Sequence, residues 1–243
     1  MNNKEDPPDK SYENLQFLHS PEARTIRILS EYIEPLSRLR KNKVNNTVLF
    51  FGSSQVNPND KNSPLIKYYW EAEELAYQLA RWAIQLKPKG KNFVICTGGG
   101  PGLMEAANRG ASRAGGKSMG MNISLPHEQK PNPYISPELS FVFHYFFMRK
   151  FWLAYKAKAI IAFPGGFGTL DEVLEILTLR QTHKFQEPVM IILYGKEFWE
   201  KVLNFNSLLK YGCIDEQDKN LFHYCSNPQE TFSLLKKNLT RFL

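Results

Sequence analysis

The chain has 243 residues, 42% hydrophobic and 23% charged, with 15 glycines and 15 prolines, an ordinary globular make-up that sets aside collagenous, disordered and membrane-spanning classes. Its 31 basic and 24 acidic residues give a charge of +7, which suits nucleic acid, an anionic surface or a phosphorylated small molecule and does not choose among them. The excess is local: residues 85–160 hold 11 Lys and Arg against 3 Asp and Glu, so this stretch is expected to form a basic wall along a binding crevice.

Residues 1–18 are polar and lack the apolar core of a signal peptide, so they read as a mobile tail. A helix then begins at Ser20-Pro21 and runs to about residue 41, with Ile26, Leu29, Ile33 and Leu36 on its apolar face. The basic cluster at its end, Arg38, Arg40, Lys41 and Lys43, reads as a solvated terminus. Residues 47–51 (TVLFF) form a buried strand ending in a Gly52-Ser53-Ser54 turn. A helix spans about 63–86, a strand 92–97 (NFVICT), and Gly98-Gly99-Gly100 leads into a helix from Pro101 to about 114. Residues 117–123 make a third strand.

The stretch 124–138 carries Pro126, Pro131, Pro133 and Pro137, and so reads as a long loop of the kind that is usually functional or disordered. Next come a short strand at 140–143, a helix at 145–158, a strand at 159–163, a glycine loop at 164–168 and a helix at 169–183. A strand at 188–193 is followed by helices near 196–209 and 228–243. Strands alternating with helices predict an α/β fold, a doubly wound parallel sheet with helices on both faces and helical additions at both ends. Residues 19–243 read as one Rossmann-like domain. Ligands in such folds bind beyond the carboxyl ends of the strands, the edge where both glycine loops fall.

Cys96, Cys213 and Cys225 are far apart and form no CxxC pair, so neither a disulfide framework nor a zinc site is expected. No apolar run approaches 18 residues, and the expected location is the cytoplasm. Neither glycine loop fits GxGxxG, since Leu103 and Asp171 occupy the positions of the last glycine. A Walker A loop fails because Ala111 stands where its first glycine belongs. PGGFGTLDE at 164–172 lies between a buried strand and a helix, where glycine backbone and the helix start make a phosphate cradle. Beside it Glu172 becomes a candidate catalytic carboxylate. His127 and His144 have no partner at metal-ligand or triad spacing, and the aromatic set Phe141, Phe143, Tyr145, Phe146, Phe147, Phe151 and Trp152 reads as core or subunit contact.

The segments GGGPGLMEA at 98–106, Met148-Arg149-Lys150 and PGGFGTLDE together resemble the LOG ("Lonely Guy") family of cytokinin-activating phosphoribohydrolases and related nucleotide nucleosidases, some once labelled lysine decarboxylases. The resemblance covers about residues 46–195, and LPHEQKPNPY at 125–134 is similar to a longer-chain bacterial branch. It implies hydrolysis of the N-glycosidic bond of a nucleoside 5′-monophosphate to free base and ribose 5-phosphate. By the same resemblance, Glu172 and Arg149 are the catalytic pair, and Gly165, Gly166, Gly168 and Thr169 hold the phosphate. Ser53, Ser54, Gly99, Gly100 and Lys150 border the crevice, and Glu105 approaches ribose or base. No cofactor and no metal are implied, and the expected partner is a second copy of the chain in a homodimer or an assembly of dimers.

Chemically, the departing base leaves an oxocarbenium-like sugar, which a carboxylate stabilises. A guanidinium suits phosphate, a ribose hydroxyl or orientation of that carboxylate better than acid catalysis. Plant-type members have Gly at the position of Glu105 and His-Glu at Phe147-Met148, so the resemblance carries no cytokinin specificity. The alternative is a non-catalytic nucleotide or cofactor binder of the same superfamily; DNA binding ranks below both, and nothing suggests a pyridoxal phosphate site.

Overall fold

The computed structural model describes residues 9–89, 92–125, 130–185 and 189–240. Seven parallel strands form one sheet in the order β4-β3-β2-β1-β5-β6-β7: β1 (Thr47–Phe51), β2 (Val94–Thr97), β3 (Ser118–Ile123), β4 (Ser140–Phe143), β5 (Ala157–Ala162), β6 (Met190–Tyr194) and β7 (His223–Cys225). The helices are α1 (Leu15–Leu18), α2 (Arg24–Lys41), α3 (Ile66–Leu86), α4 (Leu103–Arg113), α5 (Phe146–Tyr155), α6 (Phe167–Gln181), α7 (Lys196–Val202), α8 (Phe205–Lys210) and α9 (Pro228–Leu239). The doubly wound α/β architecture is therefore as expected. Strand order reverses between β1 and β5, the switch point beyond whose carboxyl edge ligands bind in such folds.

Alternation along each strand sorts the core into two layers. Val48, Phe50, Ile95 and Ile161 face α3, α4 and α9. Leu49, Phe51, Cys96 and Ile160 face α2, α5, α6 and α7. α3 and α4 cross closely because Gly110 has no side chain: a Cβ there would run into the Glu73 carbonyl and sit 3.0 Å from the Tyr77 nitrogen. Gly110→Ala is expected to cost about 2–3 kcal/mol through overpacking against backbone, read as a lowered midpoint in urea.

Several boundaries differ from the sequence expectation. α2 starts at Arg24, three residues after Pro21. Its stripe Ile26, Leu29 and Ile33 lies on the outside, each 45–53% exposed, while Pro35 and Leu39 are the buried residues. The helix expected over 196–209 is two, because Asn204 caps a new start by accepting from the Ser207 nitrogen. β7, three residues long, was not foreseen; its contribution is an edge ladder on β6. α1 forms one turn within the stretch expected to be a tail, with residues 1–8 outside the described residues. His127 also lies outside them.

The expected basic wall is overturned. Lys117 precedes β3, Lys156 and Lys158 flank the start of β5, and Lys87 follows α3, all at the amino edge of the sheet. Lys87 and Lys117 join Lys41 and Lys43 around a cavity of about 650 Å³ at that edge, where the carboxyl ends of α2, α3 and α4 gather and cations offset their dipoles. Arg109 and Arg113 pair with Glu73 across α3 and α4.

Candidate functional site

Three chain turns meet above the switch point. The turn after β1 is tied to the loop after β5 by the Ser53 nitrogen donating to the Pro164 carbonyl at 3.0 Å, and to α4 by the Leu103 nitrogen donating to the Ser53 carbonyl at 2.9 Å. Ser53 and Ser54 are half-buried here, and their hydroxyls serve a local turn around Gln55. Gly99 and Gly100 close β2 and are buried; Glu105, in the first turn of α4, accepts from the Tyr69 hydroxyl at 3.1 Å.

Arg149 reaches the same place from α5. Its Nη2 lies 3.1 Å from Glu172 Oε1, and both side chains are only 13% exposed. Gly98 makes room for it, since a Cβ there would stand 2.7 Å from the same Nη2. Burial raises the Glu172 carboxyl to about 7, with the Arg149 charge acting in the opposite direction. Such a group changes protonation near neutrality, which is the property a general base needs. Lys150 does not point at this pair: its Nζ is 2.8 Å from Asp171 and 3.0 Å from Glu175, so two adjacent cations of α5 strap it to α6.

Gly166 precedes α6 as its N-cap residue and offers no side-chain cap, which leaves N–H groups of the first turn without an acceptor among the described residues. Gly165 is required internally, because a Cβ would meet the Thr169 hydroxyl and the Ser53 nitrogen. Gly166 and Gly168 differ, as a Cβ on either would meet open space. Among the described residues nothing demands glycine at those two positions, which is what close approach of an outside anion would produce. Phe167 between them is 93% exposed.

Two contributors were not legible in sequence. Glu31 of α2 accepts from the backbone nitrogens of His144 and Tyr145 at 2.7 and 3.3 Å, and its carbonyl accepts from Trp152 Nε1 at 2.8 Å. It thereby seats the start of α5, the helix that carries Arg149. Asn108, fully buried in α4, bonds Thr97, Ser118 and the Met119 carbonyl; a polar residue on the apolar face shared with Ala107 and Ala111 was the available signal. Among the described residues no group of three or more His, Cys, Asp or Glu could hold a metal ion, and no helix is long and apolar enough to cross a membrane.

Comparisons with known proteins bear on the family and the fold. A rice (Oryza sativa subsp. japonica) protein named "Probable cytokinin riboside 5'-monophosphate phosphoribohydrolase LOGL5" is 33% identical over 59% of this chain and 52% of its own length. The Arabidopsis thaliana cytokinin riboside 5′-monophosphate phosphoribohydrolase LOG2 is 26% identical over 81% of this chain and 85% of its own. Thus the chain spans about half the length of the first relative and most of the second. The X-ray structure of TM1055 superposes with a TM-score of 0.57 at 24% identity, covering 79% of this chain and 99% of that one. A molybdenum cofactor carrier protein from Chlamydomonas reinhardtii gives 0.52 at 21%, covering 81% and 99%; at these identities both speak to fold alone. The model of the family described as "possible lysine decarboxylase" matches residues 104–235, more than half of the chain, which therefore belongs to that family, the LOG family its motifs resemble.

Proposed function

We propose that this chain hydrolyses the N-glycosidic bond of a nucleoside 5′-monophosphate, AMP, GMP or an N6-modified AMP, to free base and ribose 5-phosphate. The observation that carries the reading is the buried Arg149–Glu172 pair, 3.1 Å apart, next to the uncapped start of α6. In this reading the 5′-phosphate accepts from N–H groups at Gly166 to Thr169, with Gly165 shaping the loop. The ribose lies toward the Gly99-Gly100 turn, Ser53 and Ser54, and Glu105 borders the ribose or base. The Glu172 carboxylate faces the anomeric carbon, stabilises the positive charge that grows as the bond to the base lengthens, and takes a proton from the attacking water. The water oxygen bonds the anomeric carbon, the bonding pair leaves with the base nitrogen, and the proton taken up by Glu172 passes through solvent to that nitrogen, which gives the neutral free base and the ionised carboxylate again. Arg149 holds the carboxylate in place by a charge-assisted bond.

The test is a panel of nucleoside monophosphates incubated with the protein and analysed for free base by chromatography. Release from at least one is expected; a folded protein that releases base from none would overturn the reading. Nucleotide binding by calorimetry without release would support the non-catalytic binder instead.

We also infer that a second copy covers the outer sides of α2 and α5, where Ile26, Leu29, Ile33, Phe147, Phe151 and Tyr155 are 38–53% exposed. Tyr32 and Phe151 join the two helices, ring centroids 5.7 Å apart, and an apolar surface of this extent is characteristic of an interface. Of the aromatic set, Phe141, Phe143, Tyr145 and Trp152 are buried and belong to the core. The double variant Ile33→Glu, Phe147→Glu is expected to shift the mass by light scattering to that of one chain, 28.1 kDa. A wild type already at that mass would refute the dimer.

A further inference from the structure

The long proline-rich loop is fastened to the first glycine turn by one side chain. Asn132 is 6% exposed. Its Nδ2 lies 3.2 Å from the Gly99 carbonyl, 3.1 Å from the Gly100 carbonyl and 2.8 Å from Asn108 Oδ1. Its backbone nitrogen donates to the same Gly99 carbonyl at 2.9 Å, and its Oδ1 accepts from the Tyr134 nitrogen at 3.2 Å. Carbonyl oxygens only accept, so the amide must turn its NH2 toward the turn, and no other uncharged side chain of this size offers two donors and an acceptor at once. Behind it Asn108 is itself held on Thr97, whose hydroxyl also accepts from the Gly99 nitrogen at 2.9 Å.

The turn so held has little freedom to shift. Gly99 has φ +79° and lies against the Asn122 amide, while Gly98 is the residue whose missing Cβ admits the Arg149 guanidinium. Among the described residues Arg149 makes a single ion pair, to Glu172, and its Nε is buried without a hydrogen-bond partner, so the position of its head depends on what packs against it. We propose that Asn132 is a positioning residue: by clamping the Gly98–Gly100 turn from the long loop, it keeps the turn under the Arg149 guanidinium and thereby keeps Arg149 on Glu172. The proposal rests on the hydrolase reading for its consequence in turnover, but the geometric claim stands apart from it.

The test compares Asn132→Asp with Ser136→Ala. The first is nearly isosteric but replaces the NH2 by a carboxylate oxygen facing two carbonyls. The second loosens the same loop at its far end, where Ser136 Oγ accepts from the Ser118 nitrogen at 3.1 Å, without touching the turn. The primary readout is the 13C titration of the Glu172 carboxyl in protein labelled at glutamate, assigned with Glu172→Gln. The groups around that carboxyl are Arg149 and Lys150 of α5, Asp171 and Glu175 of α6 and the buried thiol of Cys96 in β2. With Arg149 released, the Glu172 titration should move up from about 7 in Asn132→Asp and stay put in Ser136→Ala. For the nucleotide that the wild type hydrolyses best, kcat should fall about 10-fold in the first variant, roughly one log unit of misplaced charge, and less than about 2-fold in the second. An unmoved titration in folded Asn132→Asp, or equal shifts in both variants, would overturn the proposal. Because the titration needs no turnover, a chain that releases no base would sink the hydrolase reading and still return a decision on Asn132.

Discussion

Glu172→Gln is expected to lower base release by about 10³-fold, the scale of losing a positioned acid–base group, while ribose 5-phosphate still binds within a few-fold of wild type by calorimetry. The reason is that Gln keeps the shape and can accept from Arg149, but it neither takes a proton nor carries charge toward the anomeric carbon. The wild-type profile tests the same assignment. With the carboxyl raised to about 7 by burial and the ionised form doing the work, kcat/KM should climb tenfold per pH unit below about 7 and level off above it. A profile flat from pH 5 to 8 would contradict the role. Stability should run the other way. A carboxyl whose folded value lies above its unfolded one contributes stability fully below the unfolded value and loses it as pH rises through about 7. The Gln variant, with no carboxylate to bury, should therefore be no less stable than wild type at pH 8, an expectation checked by thermal melts at both ends of that window.

Arg149→Ala is expected to cost about 10²-fold in kcat/KM and to push the acid limb of the profile upward, because the cation that draws the Glu172 carboxyl down is gone. The remaining carboxylate would be buried without a partner, so destabilisation should grow with pH, opposite to most carboxylates. Arg149→Lys restores a charge but not the planar fork. It should return the acid limb toward its wild-type position and recover only part of the rate. If Ala and Lys behave alike in both measures, positive charge at this position is not what Arg149 contributes.

The sheet was legible for a simple reason. Fully buried parallel strands must be apolar on both faces, and TVLFF at β1 and the run ending at Ala162 in β5 are just that, so their existence could be read from one line of residues. Boundaries were less legible wherever a single contact decides them. α2 begins after Ala23, which is wholly buried. The break between α7 and α8 depends on one Asn204 hydrogen bond. β7 is three residues long and exists only because β6 offers a free ladder. Charge misled most, since a sum along the chain carries no direction: the lysines of residues 85–160 that lie at strand beginnings fall on the edge opposite Arg149.

The candidate site divides in the same way. PGGFGTLDE at 164–172 and the glycines of 98–102 are short runs that local rules mark as strand-end loops, the first with a cradle and a carboxylate, whereas Arg149, inside α5, was singled out only by the resemblance. That Arg149 lies 3.1 Å from Glu172, that Lys150 turns to Asp171 and Glu175, and that Glu31 and Asn132 hold the supporting turns were decided only in three dimensions. Each is a contact between residues 21 or more apart in the chain, set by which helix face and which loop the doubly wound sheet brings together. Periodicity and motif record what a segment is; the direction of a charged side chain depends on the neighbours that can satisfy it, and those arrive only with the tertiary fold.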